Sequence, residues 1–362
     1  MAAMPGVAKI VSSGVQLPRP CQWNDVMANF RSSHPGHTRK IIQHPLPGHQ
    51  SDPGKTRHRA AHPADPPVTT NSAADVAAMA IYVWQGKFDR IKLGEGFTRQ
   101  FGKDPHFDAS AIPHMELLLG FMESDIRLTD IRWIAYMLAT AYWETTSLKK
   151  ETVPMLDKHG KQRTDKKGNP LVRSRQSWLI TMSPVEEVGK GANRQYFLPV
   201  KVKSLPTGEA RVTEQDGDQF TVTAKGRDSA ITKGAKLGVP ATQKAVKAYS
   251  DDDGTELKYY GRGYVQLTWW SNYAKAGANL NMGLQLLLDP DMVLQPEIAY
   301  KLMAQGMLTG EGFANGRKLE KYFHGATTDY IKARAMVNGS DNAMKIATIA
   351  KDFETILLAA KS

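Results

Sequence analysis

The sequence predicts an α+β protein, mainly α: a helical body that carries two short β insertions and follows a disordered N-terminal arm. Three observations predict it. From Ile131 to Trp143, 11 of 13 residues are apolar or aromatic, the mark of a helix buried on nearly every face. Polar, glycine-punctuated stretches interrupt the helical pattern near 149–181 and 198–250. Half of the chain's 20 prolines and six of its ten histidines lie in residues 1–72.

That first stretch reads as a basic Pro/His-rich arm without periodic apolar faces, hence disordered. Its histidines, His34, His37, His44, His49, His58 and His62, lack i, i+4 spacing and partnering carboxylates, so a solvated linker is favoured over a metal-binding tract. From Ala73 a helical pattern begins, with Asn71-Ser72 to cap its first turn, and AIPHMELLLGFMESD is a second helix candidate. Thr129 or Asp130 can cap the helix that follows, which closes on Glu144. The first insertion has turn signals at Lys158-His159-Gly160 and Gly168-Asn169-Pro170. In the second, Asp216-Gly217 between two alternating runs predicts a hairpin. Helical patterns return after Tyr259 and run to Ala360, so 73–362 reads as one domain.

Composition narrows the classes. With 41% hydrophobic and 23% charged residues in 362, a globular protein is expected for most of the length. A net charge of +11 suits polyanions, among them nucleic acids, acidic lipid headgroups and bacterial wall polymers. Cys21 is the only cysteine, which excludes an intrachain disulfide and a cysteine-based zinc site. No metal or organic cofactor is expected, because no ligand cluster has credible spacing. No compact apolar segment follows the N-terminus, so synthesis in the cytoplasm without a signal peptide is expected, and no stretch is long enough to span a membrane.

A carboxylic acid at the end of an apolar helix, next to Trp143, loses hydration when charged. Its pKa rises, and it can serve as a general acid. Glu144 is that residue, although a carboxylate marking the solvent end of a core helix has the same local pattern. In YYGRGYVQLTWWSNYAKAG, residues 259–277, Gly261 and Gly263 permit a backbone path closed to larger side chains. Gln266 and Thr268 can point to one side of an extended segment, with Thr268 suited to holding a water and Asn272 to an N-acetyl group. Tyr264, Trp269, Trp270 and Tyr273 could form platforms for sugar rings, though most aromatics of this kind are core. Arg262 needs a carboxylate partner.

These segments resemble the family-19 glycoside hydrolases, the chitinases and phage-type endolysins of the lysozyme-like superfamily. ATAYWETT (139–146) resembles the family's A-T-x-x-H-E-T helix, with Trp143 in place of the usual histidine. TMSPVEEVGKG (181–191) resembles its T-M-x-P-x-E-E-x-G-K-G, here separated from the acid by about three dozen residues where the family has a few. YYGRGYVQLTWWSNY matches the family block almost position for position. LLLDPDMVLQPEIAYKLM and ARAMVNGSDNAMKIATIAKDFETIL resemble its later helices. The resemblance implies a lysozyme-like helical catalytic domain with Glu144 as acid, a water-positioning hydroxyl at Thr268, and sugar-binding amides at Gln266, Asn272 and Asn338. It places the second acidic residue at Glu186, with Glu187 next. Glu151, Glu256 and Asp251 to Asp253 are further candidates.

The activity implied is cleavage of β-1,4 bonds between N-acetylated sugars by general acid–base catalysis, of inverting type, with peptidoglycan preferred and chitin as the alternative. A non-catalytic wall-binding protein that keeps the fold is a second class, and nucleic-acid binding through the arm a third, with no specific nucleic acid expected. Action at the bacterial cell wall would then need release, which a holin, a dedicated secretion machine or a particle could supply, with an immunity protein as a further partner.

Overall fold

The computed structural model describes residues 80–194, 196, 198–225, 228–233 and 254–362. The arm expected over 1–72, the Asn71-Ser72 cap and Asp251 to Asp253 lie outside the described residues.

The helix expected from Ala73 does not extend through 81–88. There the chain is pinned as an extended edge, with Val83 bridging Asp130 and Phe88 bridging Lys361. The Trp84 N–H donates to the Thr129 carbonyl at 3.0 Å, and Trp84 stacks on Phe88 with ring centroids 4.5 Å apart. Burial of those two rings against the body outweighs a modest helical preference, and Gly86 at φ 141° breaks the pattern between them.

Three helices then build the first layer. α1 (Arg90–Phe101) starts at Asp89, whose carboxylate accepts from the N–H groups of Ile91 and Lys92. Leu93, Phe97 and Phe101 recur at four-residue spacing and are buried. α2 (Ala111–Ser124) follows, then α3 (Ile131–Glu144), capped by Asp130, which accepts from the Arg132 N–H. Twelve of the 14 residues of α3 are buried, so it runs through the interior as its sequence requires. The last helix, α8 (Ala343–Ala360), packs along α3 and α1. Phe97, Phe101, Tyr142 and Phe353 form one aromatic cluster there, with centroid separations from 4.6 to 6.3 Å.

The chain leaves α3 directly into a hairpin. β1 (Thr146–Pro154) pairs antiparallel with β2 (Val172–Ile180) in register from Thr146↔Ile180 to Pro154↔Val172. At its tip two successive turns form, in which Asp157 accepts from the N–H groups of His159 and Lys161, and Asp165 from those of Lys167 and Asn169. Gly160 and Gly168 take the positive φ that these turns need. The hairpin closes where it opened: Thr181 donates through its N–H and its hydroxyl to the Thr145 carbonyl, at 3.2 and 2.9 Å.

The second excursion is a five-stranded antiparallel sheet of β4 (Val200–Ser204), β5 (Ala210–Thr213), β6 (Gln219–Lys225), β7 (Asp228–Lys233) and β8 (Thr255–Leu257), ordered β7-β6-β5-β4-β8. Its first and last strands are neighbours, with Val200 opposite Leu257, so it too departs and returns at one place. It packs on α4 (Trp270–Asn279) through Phe220, whose ring lies 5.2 Å from that of Trp270. Between the two excursions, β3 (Val185–Glu186) pairs with β9 (Arg262–Gly263). The remaining body comprises α5 (Gln285–Leu288), α6 (Pro296–Thr309), a minimal ribbon of β10 (Phe323–His324) and β11 (Thr327–Thr328), and α7 (Tyr330–Ala333). α6 begins on Pro296 and ends on Gly310 at φ 80°, the usual asymmetry of helix ends. Among the described residues no helix is long and apolar enough to cross a membrane.

Candidate active site

The candidate residues fall in two clusters. The first is the end of α3. Glu144 is 5% exposed, and its Oε1 accepts from Nη1 of Arg334 at 2.6 Å. Arg334 is fully buried, and its Nε donates to the Asp341 carbonyl at 3.0 Å. Burial pushes the Glu144 carboxyl above its ordinary range, and the Arg334 charge and hydrogen bond pull against that rise without cancelling it. The loop that carries Asn338 is tied to the same arginine, since the Asn338 N–H donates to the Arg334 carbonyl at 3.0 Å. Asn338 itself is exposed. Trp143 lies beside Glu144, with the Lys345 ammonium 5.6 Å from its ring.

The second surrounds Gly261. The Glu187 N–H donates to the Gly261 carbonyl at 2.7 Å, and the Gly261 N–H returns a bond to Glu187 Oε2 at 3.0 Å. A Cβ at position 261 would stand 2.7 Å from Gln266 Oε1 and 3.3 Å from Glu187 Oε2, so only glycine lets the carboxylate and the amide approach each other here. Tyr196 donates to the other Glu187 oxygen at 2.9 Å. Glu187 is 8% exposed. Glu186, on the opposite side of the short strand, accepts from the Tyr260 hydroxyl and lies 3.5 Å from the Lys190 ammonium. The two adjacent carboxylates, indistinguishable by spacing, therefore face different surroundings.

The remaining predicted residues divide. Gln266, at φ 50°, spends its amide N–H groups on the carbonyls of Val185 and Gly263, at 3.0 and 3.1 Å. Thr268 is half-buried two residues on, and because residues 264–266 form a turn rather than an extended strand, the alternation expected for this segment does not apply. The Asn272 amide donates to the Thr268 carbonyl at 2.9 Å. Tyr264 is 1% exposed, which corrects its assignment as a sugar platform: it is core, and so are Trp270 and Tyr273. Trp269 is 42% exposed. Glu151 sits on the hairpin paired with Lys149 at 2.6 Å, and Glu256 is exposed on the edge strand β8, so neither joins the site. Arg262 finds its carboxylate in Asp291, at 2.8 Å, and lies 3.7 Å over the Tyr260 ring. Among the described residues no group of acidic, histidine or cysteine side chains is disposed to hold a metal ion.

Sequence reasoning did not assign roles to Arg334, Tyr196 or Tyr260. Arg334 carries a visible signal, a cation inside the apolar run ARAMV. Tyr196 has none, because its meeting with Glu187 depends on the path of the loop between.

The segment 181–187 joins the clusters. Thr181 is held at the end of α3, Val185 accepts from Gln266, and Glu187 lies six positions along the chain from Thr181 (187 − 181), a reach of about 20 Å at most. The first insertion thus leaves its two flanks in contact, as a shorter connection would.

No family model matches the chain, and no solved structure matches it. Short similarities to plant endochitinases exist. An endochitinase of Arabidopsis thaliana is 54% identical over 44 residues, 12% of this chain and 15% of that protein. The acidic 26 kDa endochitinase of Solanum lycopersicum is 47% identical over 45 residues, 12% of this chain and 18% of its own length. A second Arabidopsis thaliana endochitinase matches to the same extent as the first. The similarity to endochitinases is thus confined to a short stretch of the chain, which spans under a fifth of each relative.

Proposed function

We propose that this protein is a glycoside hydrolase with a lysozyme-like fold that cuts β-1,4 bonds between N-acetylated sugars, with Glu144 as general acid and Glu187 as general base. The observation that carries the reading is the buried Glu144–Arg334 pair at the end of α3. A carboxyl held above its ordinary pKa keeps its proton for the glycosidic oxygen, and the adjacent guanidinium then stabilises the carboxylate that remains. Glu187 is preferred to Glu186 as the base because it shares the Gly261 corner with Gln266, while Glu186 is turned toward Tyr260 and Lys190. Inversion needs a water between the two carboxyls, which are then about 6.5–9.5 Å apart, and the Thr268 hydroxyl is the group suited to hold it. Asn272 and Asn338 supply amides for N-acetyl groups, and Gln266 sets the turn that presents them.

Chitin-type polymers of N-acetylglucosamine are the favoured substrate, because the related stretch is that of endochitinases. Peptidoglycan is the second reading, favoured by the net charge of +11, and would place the activity at the bacterial wall. Incubation with chitin oligomers and with peptidoglycan, followed by mass spectrometry of new reducing ends and NMR of the first-formed anomer, tests both. Inverted ends from chitin oligomers are expected. No new reducing ends from either polymer would overturn the hydrolase reading, and cleavage of peptidoglycan alone would overturn the substrate.

A further inference from the structure

A groove of about 390 Å³ opens beside the Glu187 cluster, lined by Tyr196 and Trp269 together with Leu198, Glu214, Gln215 and Asp216 of the second insertion. We infer that this groove is a sugar subsite supplied by the insertion, which takes one uncharged N-acetylhexosamine ring of the same glycan chain that is cut at Glu144. The inference rests on the hydrolase reading above.

Trp269 is the only aromatic among the large hydrophobic side chains exposed in the described residues. Its backbone, at φ 71° and ψ 130°, is in a region that non-glycine residues avoid, and such strain persists where surrounding structure enforces it, often at ligand clamps. The enforcement is visible: the Trp269 N–H donates to the Tyr259 carbonyl at 2.9 Å, and α4 starts immediately after it. Tyr196 meets the indole edge-on, with centroids 5.7 Å apart and planes at 75°. The result is an aromatic corner that lines the groove. A pyranose presents an apolar C–H face to such a ring and hydroxyls to polar walls.

The lining from the second insertion provides acceptors. Glu214 Oε1 is held by the Trp270 indole N–H at 2.8 Å, and the Gln215 amide by the Pro199 carbonyl at 2.9 Å, so both are fixed before any ligand arrives. The described lining has two carboxylates and no lysine or arginine, in a chain of net charge +11. That local sign disfavours a sugar bearing a lactyl carboxylate and favours a neutral one. The volume lies within the range of small-molecule sites. The same Tyr196 that walls the groove donates to Glu187, so a ring bound here continues the chain that passes the catalytic carboxylates.

Two measurements test it. In the active full chain, Leu198→Ala with Gln215→Ala is expected to lower kcat/KM on the N-acetylglucosamine hexamer by about tenfold and to leave the trimer rate alone, because only the longer chain reaches the groove. Equal losses on both lengths, or none on either, would overturn the subsite while leaving the hydrolase reading intact. If the parent chain cleaves nothing, that reading fails by itself, and calorimetry still decides the groove. In that arm Trp269→Ala should weaken binding of the N-acetylglucosamine hexamer by at least about tenfold relative to the parent chain, and an unmuted affinity would overturn the inference. Muramic-acid-bearing oligomers that bind the groove as tightly as chitin oligomers would overturn the charge argument.

Discussion

Glu144 carries a charge relation that bears on what its substitution should do. Seen as an isolated carboxyl in an apolar setting, Glu144→Gln should cost little stability or add some. The buried Arg334 offsets part of the burial cost but leaves the carboxyl above its ordinary range, so the neutral form stays favoured and a neutral amide in its place is tolerated. Glu144→Gln is expected to lower hydrolysis by about 10²–10⁴-fold and to change stability by no more than about 1 kcal/mol, since the amide oxygen can still accept the Arg334 hydrogen bond. Arg334→Ala should cost about 3–5 kcal/mol in urea unfolding. The upward shift of Glu144 also sets a pH signature. A carboxyl whose folded pKa exceeds the unfolded one contributes stability below the unfolded value, and that contribution is lost as pH rises through the folded value. Activity should fall over the same alkaline limb, and in Glu144→Gln the corresponding slope of stability against pH should vanish. The two adjacent carboxylates give a second prediction. Glu187→Gln should reduce kcat on chitin oligomers by about 10²-fold or more, while Glu186→Gln should leave most of the activity. A larger loss from Glu186→Gln would exchange their roles.

At the scale of elements, the insertions are attachments with closed ends. The β1–β2 hairpin is tied at its base by the Thr145–Thr181 bonds, and its tip residues 156–161 and 163–170 are exposed. Replacement of 155–171 by Asn-Gly, a two-residue turn suited to the strand twist, should therefore change the melting temperature by only a few degrees in calorimetry. A large loss would mean that the tip supports the body. Much of this was legible beforehand. The turn glycines, the Asp216-Gly217 hairpin between β5 and β6, and the buried α3 follow from local chemistry that needs no distant partner. The helix expected at 81–88 was not legible correctly, because the bridges of Val83 to Asp130 and Phe88 to Lys361 come from sequence-distant segments.

For the molecule as a whole, charge and site point in different directions. The chain carries +11, while the groove beside Glu187 is lined by carboxylates among the described residues. Retention on an anionic wall polymer should then weaken steeply as salt rises toward 1 M, where screening acts within about 3 Å, while binding to chitin oligomers should be nearly insensitive to salt. Co-sedimentation across a salt series separates the two.

The sequence by itself determined the place of Glu144 at the end of an interior helix, the glycine at position 261 and the turn residues of the hairpins. These depend on periodicity, helix capping and permitted φ, which act over a few residues. Only the tertiary structure decided that Glu144 is paired with Arg334, 190 residues away, that Glu187 rather than Glu186 shares the Gly261 corner, and that Tyr264 is core while Trp269 faces solvent. Burial and ion pairing are properties of what surrounds a side chain, and for these residues the surroundings come from segments far apart in the chain.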